Sequence, residues 1–173
     1  MKLRKVITIL ALTGVVFSLL SFVPNNLIRP TPVAFADSPK CVPVGGALMT
    51  NIGAIAVPSP GGTNLGPVFG DLAGSVAATI LGENANGSYN VQHYWVTAAG
   101  DTITFAVAVL YPTYPIAGND AIVAVPWGHY SSTITGGTGK FEGATGSLNY
   151  FGMADFSQNT LVLRYRGEVC YAH

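Results

Sequence analysis

Along the segment DTITFAVAVLY, residues 101–111, Ile103, Phe105, Val107, Val109 and Tyr111 fall on one face and Thr102, Thr104, Ala106 and Ala108 on the other. A period of two predicts a β-strand with its larger side chains turned toward a hydrophobic layer. The C-terminal segment divides in the same way, Leu161, Leu163, Tyr165 and Val169 against Arg164, Arg166, Glu168 and Cys170. In VQHYWVT, residues 91–97, alternation sets Val91, His93, Trp95 and Thr97 opposite Gln92 and Tyr94. Strands are predicted over 42–57, 72–82, 89–98, 102–111, 121–125, 129–135, 147–156 and 161–171, each bounded by Gly, Pro, Asn or Asp.

Helix signals are almost absent, so the chain reads as all-β. About eight short antiparallel strands suggest a closed barrel, which leaves no sheet edge to protect; a sandwich is the alternative. Residues 58–67 (PSPGGTNLGP) and 111–120 (YPTYPIAGND) are too rich in Pro and Gly for strands and are predicted as surface loops. NANGS at 84–88, AAGD at 98–101 and SQN at 157–159 read as turns.

The glycine-rich stretch TITGGTGKFEGATGSL, residues 133–148, invites comparison with a phosphate-binding loop. A P-loop needs glycine five positions before its Gly-Lys and Ser or Thr just after it, where this chain has Ile134 and Phe141. A dinucleotide fingerprint on Gly137 and Gly139 needs a third glycine where Glu142 stands, and a helix to follow. The stretch is therefore predicted to be a strand end, a tight turn and a strand start, with glycines allowing positive φ and close backbone approach.

Composition adds the compartment. Lys2, Arg4 and Lys5 precede an apolar run over 6–23, and AFA at 34–36 offers a cleavage site before Asp37, the pattern of a secretory signal peptide. The run is long enough to span a bilayer, so an uncleaved anchor is the alternative. Cleavage leaves residues 37–173 as a single domain, secreted or periplasmic and with no membrane segment. Its basic residues are Lys40, Lys140, Arg164 and Arg166, against eight acids, a formal charge of −4. Nucleic acid, which needs clustered Lys and Arg, is excluded as a partner. Cys41 and Cys170, near the two ends of the domain in an oxidising compartment, are predicted to form a disulfide; two free thiols are the alternative.

Candidate chemistry is sparse. His93, His129 and His173 show no metal-site spacing, and no G-x-S-x-G elbow is present, so neither metal nor cofactor is expected. His93 and Trp95 are candidates to line a pocket, one offering a hydrogen bond and the other an aromatic wall to a small apolar or amphipathic ligand. The alternative is that they pack outside or plug a barrel. Tyr111 and Tyr150 are further wall candidates. Arg164, on an inward face, would bind a ligand carboxylate with Glu168 orienting it; on an outward face it joins Arg166 and Glu168 in an exterior charged row. Asp71 and Glu142 stand in turns, where a carboxylate accepting backbone N–H bonds is the default. Asn86 to Ser88 matches a glycosylation acceptor in a eukaryotic host and is otherwise a turn. Ala47, Ala77, Ala106 and Ala108 are the small strand residues that would leave interior room.

ITGGTGKFEGATGSL resembles the signature turn of the allene oxide cyclase and dirigent protein superfamily, and FGDL at 69–72 followed by AGSVAATIL resembles the entry to that family's second strand. The resemblance implies an eight-stranded antiparallel barrel with an axial pocket and Phe141 packed at the barrel end. Two functional classes follow from it: a barrel that binds a small apolar molecule, or a cyclase or isomerase guiding a ring closure or stereoselective coupling. A third class is an envelope protein whose barrel is filled by side chains. In the plant cyclases a first-strand acid takes part in cyclisation; here VPVGGALMTNIGAIAV, residues 42–57, has none, and no catalytic residue carries over. Bacterial members resembling this barrel include cyclases that fold a polyene by shape alone. The resemblance also implies dimers or trimers through the barrel exterior.

Overall fold

A computed structural model describes residues 39–55, 62–111 and 114–172. The leader expected over 1–36 and His173 lie outside the described residues. Among the described residues the strands are β1 Lys40–Ile55, β2 Thr63–Gly70, β3 Gly74–Glu83, β4 Tyr89–Thr97, β5 Thr102–Phe105, β6 Ala108–Leu110, β7 Tyr114–Ile116, β8 Asn119–Val125, β9 Tyr130–Gly137, β10 Thr145–Asp155 and β11 Thr160–Tyr171, with a 3₁₀ turn at Gly139–Phe141.

These segments form eight barrel strands. β5, β6 and β7 lie end to end and pair in order with β9 and β8, which are themselves collinear along β10. Every neighbour is antiparallel, and β1 pairs with β11, so the meander closes on itself. No sheet edge is left along the ring, the outcome expected of a chain with so few charges to guard one.

The structure departs from the simple pattern at three places. The alternation of 102–111 does not run through: Ile103 and Phe105 are buried, but Val107 is exposed and Ala108 is buried. The strand breaks at Ala106 and Val107, the register shifts near Phe105, and the phase inverts, as one inserted residue must do in a period-two element. Tyr111 consequently lies exposed rather than sharing the buried face of Ile103. The expected loop at 58–67 is replaced from Thr63 onward by β2, which keeps one register with β1 from Gly46↔Gly70 to Asn51↔Leu65 and shifts only between Asn51 and Ile55. The expected loop at 111–120 likewise yields the β7–β8 hairpin from Tyr114 onward.

The interior is filled by the inward residues of each strand, including Leu48, Val68, Val76, Val91, Trp95, Ile103, Ile134, Leu148, Tyr150, Leu163, Tyr165 and Val169. The glycine-rich turn supplies the plug at one end. Phe141 is fully buried, its ring 5.7 Å from that of Tyr171, and Lys140 lies over its outer side at 4.9 Å. Gly137 has to lack a side chain here, since a Cβ would collide with the Thr102 carbonyl and press on Phe141. Below the plug, Trp95 donates to the Leu72 carbonyl at 3.0 Å and meets the Tyr165 ring edge-on, while the Tyr165 hydroxyl accepts from the Leu72 N–H at 3.0 Å.

Cys41 and Cys170 stand directly opposite one another on β1 and β11 and are joined by a disulfide. Asp71 accepts the Gly45 N–H at 2.8 Å, the turn role expected of it. Asn86 is engaged likewise, its Oδ1 accepting from the Ser88 N–H and hydroxyl. Among the described residues no helix is long and apolar enough to cross a membrane.

Candidate functional site

A cavity of about 50 Å³ lies on the barrel axis, displaced toward the end opposite the plug. Its walls are apolar side chains of six elements, among them Leu48, Val76, Ile80, Leu110, Val125 and Leu163. The space is several times what one water needs. Ala78, rather than Ala77, is the small β3 residue that opens it, because even-numbered positions of β3 point inward.

Polar groups converge at the inner end. β4 carries His93 inward between Val91 and Trp95, and β9 carries Tyr130 and Ser132 inward on the same alternation. The Tyr130 hydroxyl lies 2.7 Å from His93 Nε2, and the Tyr150 hydroxyl lies 2.8 Å from Ser132 Oγ. The three rings form a compact stack, with centroids 4.9 Å apart for Tyr130 and Tyr150 and 5.3 Å for His93 and Tyr150. Phe105 closes the side against His93 edge-on at 5.6 Å.

Burial sets the charge of this cluster. Loss of water lowers the His93 pKa to about 4, so the imidazole is neutral near pH 7. Burial also raises the Tyr130 phenol well above its ordinary value, with the neighbouring Tyr150 adding to the effect. Tyr150 is raised by burial against the opposing pull of the Ser132 hydrogen bond. The inner end is therefore a set of neutral donors and acceptors, suited to a carbonyl, ether or hydroxyl and hostile to an ion.

Two polar atoms of the cavity lining lack partners. His93 Nδ1 and Thr50 Oγ1 are buried with no hydrogen bond, and both residues line the cavity. Whichever way the proton lies between Tyr130 and Nε2, Nδ1 is left as an unmatched donor or an unmatched lone pair. An unmatched buried group costs on the order of 1 to 3 kcal/mol, which a ligand or water with the complementary group would relieve.

Of the residues singled out from the sequence, the structure brings His93 and Tyr150 together at this cavity. Trp95 is buried one pleat further in, bonded to Leu72 rather than lining the space. Tyr111 is half exposed, and Arg164 points outward with Arg166 and Glu168, so neither belongs to the cavity. Tyr130, Ser132, Thr50 and Asn64 were not anticipated. The alternation of Tyr130, Ser132 and Ile134 was the available signal for the first two. Among the described residues no three His, Cys, Asp or Glu side chains could hold a metal ion.

The fold and this cavity define a small closed antiparallel barrel with an apolar axial chamber and a neutral polar end. No family model matches the chain, and no curated protein matches it in sequence. Two solved structures similar to it are those of the pterocarpan synthase dirigent proteins GePTS1 and PsPTS1. The first has 14% identity and a TM-score of 0.34, covering 84% of this chain and 96% of that one. The second has 12% identity and a TM-score of 0.30, covering 79% and 98%.

Proposed function

We propose that the chain is a secreted binding barrel that takes a small apolar or amphipathic molecule into its axial cavity, after removal of residues 1–36. The observation that carries this reading is the apolar chamber lined by His93 and Thr50, whose Nδ1 and Oγ1 are both unpartnered. The ligand's apolar part lies against Leu48, Val76 and Leu163, and an uncharged oxygen meets His93. A titration of the mature protein with short-chain ketones and alcohols, followed by NMR at the Tyr130 and His93 amides, tests it. Saturable shifts are expected, and Ala78→Leu, which fills the chamber, should abolish them while leaving the β circular-dichroism spectrum intact. Absence of saturation across the panel, or binding unaffected by Ala78→Leu, rejects the reading.

The second reading, a cyclase or isomerase, rests on the 2.7 Å contact between neutral Tyr130 and neutral His93. Such a pair can hold or move a proton at a ligand oxygen while the walls fix a flexible substrate near its reactive conformation. Chiral analysis of the product from a cyclisable precursor distinguishes it from binding alone: a racemic product at the uncatalysed rate leaves only the binding barrel.

A further inference from the structure

We propose that the outer surface of β2, β1 and β11 carries a second site, separate from the axial cavity, for a small organic acid: its carboxylate or sulfate is held by Arg164 and Arg166 and its apolar body lies on Phe69. The register builds this groove. Phe69 stands opposite Ala47, which stands opposite Arg164, and Gly45 stands opposite Arg166. On the central strand the outward positions are thus a hydrogen and a methyl, flanked by long side chains on both sides. The result is an exterior groove of about 450 Å³, within the usual size range of small-molecule sites.

The charge distribution supplies the ligand chemistry. The described residues contain four Lys and Arg, and two of them stand on neighbouring outward positions of β11, roughly 7 Å apart along the strand. Two like charges so placed repel one another. Neither guanidinium has a hydrogen-bond or ion-pair partner among the described residues, so a structural salt bridge does not explain them. Asp71 also lines the groove, held by the Gly45 N–H at its Oδ2, so the two guanidiniums stand against one carboxylate and the groove keeps an excess of positive charge. Phe69 is half exposed at the opposite wall. Paired guanidinium forks facing an exposed aromatic ring across a floor without side chains suit a planar anion with an apolar ring attached. The cavity, whose polar end is neutral, has no such preference.

The test is an amide-resolved NMR titration of the mature, disulfide-bonded protein with naphthoate, beside naphthalenemethanol as the uncharged analogue. Naphthoate should give saturable shifts at the Gly45, Gly46 and Gly70 amides. Naphthalenemethanol, and naphthoate with the Arg164→Gln/Arg166→Gln double variant, should bind at least about tenfold more weakly, the loss expected for one charge-assisted contact. Both arginines are exposed, so the double variant keeps the fold. Gly45→Leu supplies an uncharged control: a Cβ there meets only the Tyr165 carbonyl at 3.4 Å and Arg166 Cγ at 3.8 Å, ordinary contacts, so the longer side chain fills the groove without displacing the strand. Naphthoate binding should be lost in this variant. The proposal is overturned if no saturation is seen, if the analogue and the double variant bind equally well, if Gly45→Leu leaves binding unchanged, or if the shifts centre on His93 and Tyr130. The axial-cavity reading survives any of these results.

Discussion

The Tyr130 hydroxyl and His93 Nε2 meet at 2.7 Å in the interior, a side-chain hydrogen bond that links β9 to β4 within the core. Neither group ionises near neutral pH, and each depends on the other for its buried hydrogen bond.

Tyr130→Phe should cost about 1 to 3 kcal/mol, because it strands His93 Nε2 as well as Nδ1. Urea denaturation of the variant beside the parent checks this, and Tyr130→Phe/His93→Leu should recover part of the loss by removing the stranded imidazole. A silent Tyr130→Phe would mean that water replaces the hydroxyl.

Acid should weaken the fold through His93. Its folded pKa near 4 lies below the unfolded value of 6.5, so between those values the unfolded chain binds more protons. The contribution is fully present above about pH 6.5 and is lost as pH falls toward 4, a difference on the order of 3 kcal/mol. Asp155, lowered chiefly by the Ser157 hydroxyl, adds loss in the same direction at lower pH. Comparing the parent with His93→Gln at pH 7 and pH 4.5 isolates the imidazole: the variant should show the flatter profile.

Reduction of Cys41–Cys170 frees a loop of 129 residues. On the chain-entropy model this removes about 4 to 5 kcal/mol. Thermal melts with and without reductant, and of Cys41→Ser/Cys170→Ser, should agree with each other and fall well below the oxidised parent.

Phe141→Ala opens the plugged end and should cost about 3 to 5 kcal/mol, as for other fully buried aromatic rings. Lys140→Ala, which removes only the cation above that ring, should cost under about 1 kcal/mol, since such contacts are weak at exposed sites. Equal losses in the two melts would show that Phe141 does not seal the barrel.

How much of this was legible in the sequence follows from where side chains alternate without interruption. β4 and β11 alternate cleanly, so the residues sharing each face could be read from the sequence, but which face of β11 turns inward, and with it the place of Arg164 and Arg166, is decided only by the closed sheet. At Ala106 and Val107 nothing in the residue types marks the phase change; it is imposed by pairing with β9 and only the closed sheet reveals it. β2 was hidden because Gly66 and Pro67 look like loop, although Gly66 is the residue that lets β2 pack against the Met49 backbone of β1. The site was half visible for a similar reason. His93 and Tyr150 were singled out by chemistry, whereas their partners Tyr130 and Ser132 are distant in sequence and become neighbours only on closure.

The disulfide joins the first and last strands of the ring at the place where the chain begins and ends its circuit. A cylinder sewn along that line cannot peel apart from its loose ends. Opening should begin at the two interruptions left in the wall, the Ala106–Val107 break, which faces Thr133 of β9, and the excursion between β8 and β9, which faces Tyr111. That part of the wall, near Phe105, Val125 and Tyr130, is where exchange of buried amides should be fastest.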